Sequence, residues 1–300
     1  MKKHVSIVIP AFNGGDRFRL VLDMIFRQKY KDFELIVIDS GSADGSVELV
    51  KKYPAKLIQI KSSEFGHGKT RNFGATLAKG DIIVFLTQDA LPSSDRWLAS
   101  LIAPFSDKKI AGVYGRQIPK PDENVLDKNF FLSLYGEKDF VWTAQNCTQG
   151  DNIFSDANSA VRKELILMYP YKTDIIVSED YEWAIKMLAK GYNIYYSIHA
   201  SVIHSHAYNL ATLFKRNFDV GVSYKDIYTS GQNVPFLKKG LKIYRKEIKH
   251  LIHTGYAHLT PLATIRDITR FVAISIGKKE HLISKRIKKT YLSAQRWYWV

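Results

Sequence analysis

Val5-Ser-Ile-Val-Ile-Pro-Ala-Phe-Asn13 is a short, β-branched, almost wholly apolar run that ends in Pro10 and then a loop carrying Gly14-Gly15. Such a run suits a strand covered on both faces, as in a parallel sheet. Outward from it, strand-like stretches at 34–39, 56–60 and 81–87 alternate with helical periodicity near 17–28, 45–53 and 69–78. In the first of these helices Phe18, Val21, Leu22, Ile25 and Phe26 share a face, with Arg17, Arg19, Asp23 and Arg27 elsewhere. The order βαβαβαβ predicts a parallel sheet with one face of each helix packed against it.

Composition sets the outer bounds. The chain has 300 residues, 46% hydrophobic and 24% charged, which are globular values that exclude wholesale disorder, collagen-like repetition and a disulfide scaffold. A single cysteine, Cys147, makes no internal bridge and suits a reducing compartment. The 44 basic against 29 acidic residues give +15, which calls for an anionic partner such as phosphate, nucleic acid or lipid headgroups. No apolar run approaches the about 18 residues of a spanning helix. Lys2-Lys3 before the first strand faintly resembles a signal peptide, but Pro10 ends the apolar run too early, so the chain is expected to start at residue 1 and to stay in the cytoplasm.

Beyond residue 94 the alternation loosens. Residues 117–152 read as a long shaped loop with a helix only at 129–136; a helix at 181–190, stopped by Gly191, and a strand at 192–204 follow. The pattern divides the chain into a catalytic region, 1–225, and a basic helical extension, 226–300. Between Lys238 and Val300 fifteen Lys or Arg face three acids, which accounts for most of the net charge, and the end is Trp297-Tyr298-Trp299. Basic amphipathic helices with terminal aromatics suit a membrane surface. A solvated basic extension packed on the catalytic region, or making a homo-oligomer contact, is the alternative.

Four segments carry candidate chemistry, each at an expected strand end on one edge of the sheet, where ligands of open α/β sheets bind. The first ends in Asn13. The second, Ile36-Val-Ile-Asp39-Ser-Gly-Ser-Ala-Asp44-Gly45-Ser46, places a carboxylate where it can accept from a base N–H or a ribose hydroxyl, although Asp is also an ordinary turn residue. In the third, Glu64-Phe-Gly66-His67-Gly68-Lys69-Thr70-Arg71-Asn72, a helix start with nearby cations suits a diphosphate; Arg71 could equally pair with a carboxylate, but the crowding of glycine, histidine, basic and amide groups favours phosphate. The fourth, 81–90, ends in Thr87-Gln88-Asp89, and a carboxylate on a rigid strand tip can hold a divalent cation. Neither G-x-G-x-x-G after the first strand nor a Walker A spacing is present.

With these segments together, residues 4–225 resemble the family 2 glycosyltransferases, inverting enzymes that use nucleotide-diphosphate sugars. The resemblance implies an α/β GT-A fold: a Rossmann-like, mostly parallel sheet flanked by helices, here with the helical basic extension. It implies that Pro10, Ala11, Asn13, Asp39 and Ser40 hold the nucleoside, that His67, Lys69 and Arg71 meet the diphosphate, and that Thr87-Gln88-Asp89 stands where the family has its D-x-D metal motif. The first acid of that motif is missing. This departure and Phe65-Gly-His-Gly-Lys-Thr-Arg-Asn-Phe-Gly74 look like the rhamnosyltransferase subgroup, whose donor is dTDP-L-rhamnose.

Downstream, Asp156-Ala-Asn158-Ser-Ala-Val-Arg162 is similar to the segment that lines the donor and acceptor cleft, and Ser178-Glu179-Asp180 to the E-D motif. By that match Asp180 is the general base and Glu179 positions it; adjacent acids at a helix start are otherwise ordinary dipole partners. His204-Ser-His206 offers a further ligand for Mg²⁺ or Mn²⁺ beside Asp89, His206 being preferred, against a structural histidine at a strand end. The implied partners are a nucleotide-sugar donor, a glycan or lipid-linked acceptor, and an anionic membrane surface. A sugar nucleotidyltransferase is a second reading, weakened because Ala11-Phe-Asn-Gly-Gly15 lacks a basic residue. Nucleic-acid binding is a third, and the chain carries no finger, RNP or basic-zipper pattern.

Overall fold

The computed structural model describes residues 4–147, 154–227 and 236–299. In chain order its principal elements are β1 (Val5–Ala11), α1 (Gly15–Phe26), β2 (Phe33–Asp39), α2 (Ser46–Val50), β3 (Ala55–Gln59), α3 (His67–Leu77), β4 (Ile82–Leu86), β5 (Leu91–Pro92), α4 (Trp97–Ile102), β6 (Ile110–Ile118), α5 (Val125–Leu134), β7 (Phe140–Trp142), β8 (Asn158–Arg162), α6 (Lys163–Met168), α7 (Glu179–Ala189), β9 (Asn193–Ile203), α8 (Leu210–Ile227), α9 (Phe236–His253) and α10 (Thr260–Gly277). The chain forms two compact units, Met1–Ile118 with Gly136–Thr173 and Glu179–His204, and Pro119–Tyr135 with Asp174–Ser178 and Ser205–Val300. The division expected at 225/226 is therefore displaced: 119–135 and α8 group with the C-terminal helices. The loop expected over 117–152 also contains the end of β6, α5 four residues earlier than the composition indicated, and β7.

The first unit holds one sheet in the order β3-β2-β1-β4-β8-β6-β9-β5, with β7 on β9. β3, β2, β1 and β4 are parallel, as the βαβ alternation requires, whereas β8 runs antiparallel to both β4 and β6. Phe18, Val21, Leu22 and Ile25 of α1 lie fully buried in one cluster with Ile7, Ile9, Val37 and Val84, the residues of one sheet face. Period-2 and period-3.6 patterns meet there.

Between Gly115↔Ser197 and Gln117↔Val202 the β6/β9 register shifts, so β9 carries a bulge. The bulge brings the Ala200 carbonyl to 1.8 Å from where a Cβ on Gly115 would lie. Gly115→Ala is expected to destabilise the protein by about 3 kcal/mol through overpacking, read as a lowered urea midpoint; an unchanged midpoint would show that the two strands yield.

In the second unit α8 and α10 approach backbone to backbone. A Cβ on Gly277 would lie 2.2 Å from the Phe218 carbonyl, and one on Gly221 2.4 Å from that of Ile274. Trp299 is buried in the same cluster as Phe218, Val222 and Ala273, and Lys288 Nζ stands 4.2 Å from its ring centroid. Trp299 is therefore core in this small unit, while Trp297 and Tyr298 are only partly buried.

Candidate active site

The loops after β1 and β2 are stitched together. Gln88 is bidentate on the Phe12 backbone, its Oε1 accepting from the amide and its Nε2 donating to the carbonyl, both at 2.8 Å. Asn13 has φ +48°, a left-handed value that Asn tolerates, and its Oδ1 accepts from Ala43 N at 2.9 Å. Asp39 is buried; its Oδ1 accepts from the Gly41 and Ser42 amides at 3.0 Å and its Oδ2 from the Ser42 hydroxyl. Ser40 donates both N–H and Oγ to the Ala11 carbonyl. The result is a braced rim at the carboxyl ends of β1 and β2.

Beside it, α3 starts at His67 with no side-chain cap, and Lys69 in its first turn is exposed, as an anion site at a helix start would need. Below that surface Arg71 is buried. Its Nη1 donates to Glu179 Oε1 at 2.7 Å, and its Nε lies 3.3 Å from Asp156 Oδ2. Asp156 Oδ1 also accepts from the hydroxyls of Ser159 at 2.5 Å and Tyr171 at 3.1 Å. The Asp156 amide donates to Asp180 Oδ2 at 2.8 Å. Burial pushes Asp156 up to about 7 and Glu179 up to about 8, against the lowering effect of Arg71. Three acids thus surround one guanidinium, and the two inner ones are sealed from solvent. Asp180 alone is partly exposed. Ser178, just before α7, has φ +68°, a strained value of the kind functional segments retain.

A second cluster lies at the end of β4. Asp89 Oδ1 is 3.5 Å from His204 Nε2, and His204 Nδ1 bonds Gln117 Oε1 at 2.8 Å. A carbonyl oxygen only accepts, so Nδ1 carries a proton and Nε2 is the ring atom turned toward the carboxylate. Asp89, His204 and His206 bring potential ligand atoms within 4.8 Å of one another, and an orienting bond on the far ring nitrogen is what metal-bound histidines have. Arg17 clamps both flanking segments, donating from Nε to the Asp89 carbonyl at 2.8 Å and from Nη2 to that of Ile203 at 2.7 Å. His206 follows two residues later, stacked on Tyr208 at 5.8 Å.

This geometry has relatives. The model described as glycosyl transferase family 2 matches residues 6–167. The chain belongs to that family. "O-antigen chain rhamnosyltransferase RfbN" of Salmonella typhimurium (strain LT2) is 31% identical over 98% of this chain and 96% of its own length, and "O-antigen chain rhamnosyltransferase WbaN" of Salmonella anatum is 29% identical over 98% and 95%. Among solved structures, the mannosyltransferase PcManGT from Pyrobaculum calidifontis, in complex with GDP-Man and Mn2+, superposes with a TM-score of 0.66 at 18% identity, over 94% of this chain and 88% of that one. S. aureus TarS 1-349 superposes with a TM-score of 0.59 at 15% identity, over 96% and 85%. These likenesses show the GT-A fold.

Several residues of this glycosyltransferase serve otherwise than the sequence suggested. Arg71, assigned to the diphosphate, is turned inward to carboxylates, because a buried guanidinium needs them. Asn158, assigned to the cleft, is fully buried; its Oδ1 accepts from Trp97 Nε1 at 2.9 Å and its Nδ2 donates to the Ala200 carbonyl at 2.7 Å. Gln88 and Asp39 spend their polar atoms on loop backbone, so they shape the rim. Asp89 faces His204 directly, and His206, the preferred ligand, falls with them in one group whose potential ligand atoms lie within 4.8 Å of one another. Pro10, Ala11, Ser40, Thr87 and His67 sit on the rim segments as expected. Arg17 and Gln117 were missed: one is a cation on a helix, the other an amide in a strand, and nothing in their spacing marks them.

Proposed function

We propose that this enzyme transfers L-rhamnose from dTDP-L-rhamnose to a hydroxyl of a glycan or lipid-linked oligosaccharide in the synthesis of a surface polysaccharide such as O-antigen. The observation that carries the sugar is the likeness, along nearly the whole of both chains, to a protein named O-antigen chain rhamnosyltransferase. The site supports the chemistry. Asp180, the one carboxylate of its cluster not sealed in, takes the proton as the acceptor oxygen bonds to the anomeric carbon and the sugar–diphosphate bond breaks. Lys69 and the start of α3 meet the departing diphosphate, where charge develops. The rim at Asn13 and 39–42 takes the nucleoside.

Asp89, His204 and His206, whose potential ligand atoms lie within 4.8 Å of one another, would hold a divalent cation. Such a cation supplies charge stabilisation to the diphosphate. The aqueous nucleoside diphosphate released from dTDP-L-rhamnose, UDP-glucose, UDP-GlcNAc and GDP-mannose, with and without Mg²⁺, Mn²⁺ or EDTA, tests the reading. Release from dTDP-L-rhamnose alone is expected, and preference for a UDP- or GDP-sugar would overturn the rhamnosyl assignment. His204→Ala is expected to raise the Mn²⁺ concentration for half-maximal rate at least tenfold; an unchanged requirement would remove this histidine from the cation site.

A further inference from the structure

Helix α10 is built inside out. Its arginines are buried at 7% and 9% exposure. Arg266 donates to the Tyr208 carbonyl at 2.8 Å and to Asp127, while Arg270 pairs with Asp267 and lies 3.7 Å from the Phe130 ring centroid. Outward, Leu262, Ile265, Ile268 and Val272 are 45%, 50%, 57% and 40% exposed. At 3.6 residues per turn Ile265, Ile268 and Val272 lie on the side opposite Ala263, Arg266 and Arg270, with Leu262 at the edge of that face. A helix of a water-soluble unit places its apolar stripe inward and its charges outward. Single exposed apolar residues are ordinary, but a stripe along one helix marks an interaction surface.

The chain then runs into Lys278-Lys279, and the following segment exposes Leu282, Ile287 and Tyr291 among the exposed cations Lys285, Arg286 and Lys289. We propose that the outward face of α10, with the 279–291 segment, docks on the surface of an anionic lipid bilayer. The apolar stripe enters the headgroup–acyl boundary and the cations meet lipid phosphates. Charge complementarity selects this occupant. A second copy of the same face would bring the same cations into apposition, whereas anionic headgroups neutralise them. Among the described residues no helix is long and apolar enough to cross a membrane, so α10 lies on the surface. The proposal is independent of the donor sugar.

Flotation of the full chain with vesicles of phosphatidylcholine alone, or mixed with phosphatidylglycerol, tests it. The wild type is expected to float with the anionic vesicles and to be released from them by high salt. Ile265→Glu with Ile268→Glu is expected to weaken binding at least tenfold with an unchanged melting temperature, because both side chains point outward. Lys285→Glu with Arg286→Glu and Lys289→Glu, which leaves α10 untouched, is expected to do the same, at about fivefold per cation. No flotation of the wild type, or flotation unchanged in both variants, would overturn the proposal. So would a wild-type dimer in sedimentation that becomes a monomer in the α10 variant, since the face would then belong to a second copy.

Discussion

Asp180→Asn is expected to lower kcat about a thousandfold, within the range by which a positioned general base accelerates a reaction, while donor KM and the thermal melt stay near wild type. Three carboxylates approach one another here, and burial distinguishes them. Asp156 and Glu179 are sealed and tied to Arg71, so neither can touch an acceptor hydroxyl. Asp180 is partly exposed and held from behind, where its Oδ2 accepts from the Asp156 amide and its Oδ1 from the Tyr181 amide. An asparagine keeps an oxygen for one of those amides, so the loop geometry persists, but it has no lone pair basic enough to take the proton. Single-turnover sugar transfer at saturating donor checks this. A loss smaller than tenfold would move the base elsewhere.

Arg71→Met is expected to destabilise the protein by about 3–5 kcal/mol near pH 8, because it strips the cation from a buried ion cluster. The loss should shrink as the pH falls. Burial raises the folded pKa of Asp156 to about 7 and of Glu179 to about 8, from ordinary values of 3.8 and 4.5. A carboxyl with a raised folded pKa binds more protons when folded. Its contribution to stability is fully present below its ordinary pKa and is lost as pH rises through the folded value. Arg71 opposes that loss by favouring the ionised acids, so its removal matters most where they must ionise, above about pH 7, and least near pH 5. Urea unfolding of both proteins at pH 5 and pH 8 measures the gap. A gap that is the same at both pH values would mean that Arg71 contributes only packing.

The parallel half of the sheet was legible from residue 5 to residue 87 because buried parallel strands are apolar runs and their crossover helices repeat every 3.6 residues. Element ends moved by a few residues, and α2 is shorter than its pattern. The middle of the chain was legible only in part. Residues 117–152 have little periodicity, since β6 ends beside a bulge and β7 is three residues long. For the site, the motif segments were found, but the partners of their side chains were not. Asn158 and Gln88 have the residue types of ligand contacts and are consumed by Trp97, Ala200 and Phe12.

Sequence by itself determined the fold class, the strand ends at which Asn13, Asp39 and Asp89 lie, and the strong positive charge of the C-terminal region. These follow from local periodicity, turn chemistry and composition, which are properties of neighbours along the chain. Tertiary structure alone decided that Arg71 faces carboxylates, that Gln117 and Arg17 orient the Asp89–His204 pair, that Trp299 is core, and that α10 turns Arg266 and Arg270 in and Ile265 and Ile268 out. Each of those depends on groups tens to hundreds of residues apart, and burial assigns their roles: a charge kept from water must find a counter-charge, and the chain's order does not say which one it will meet.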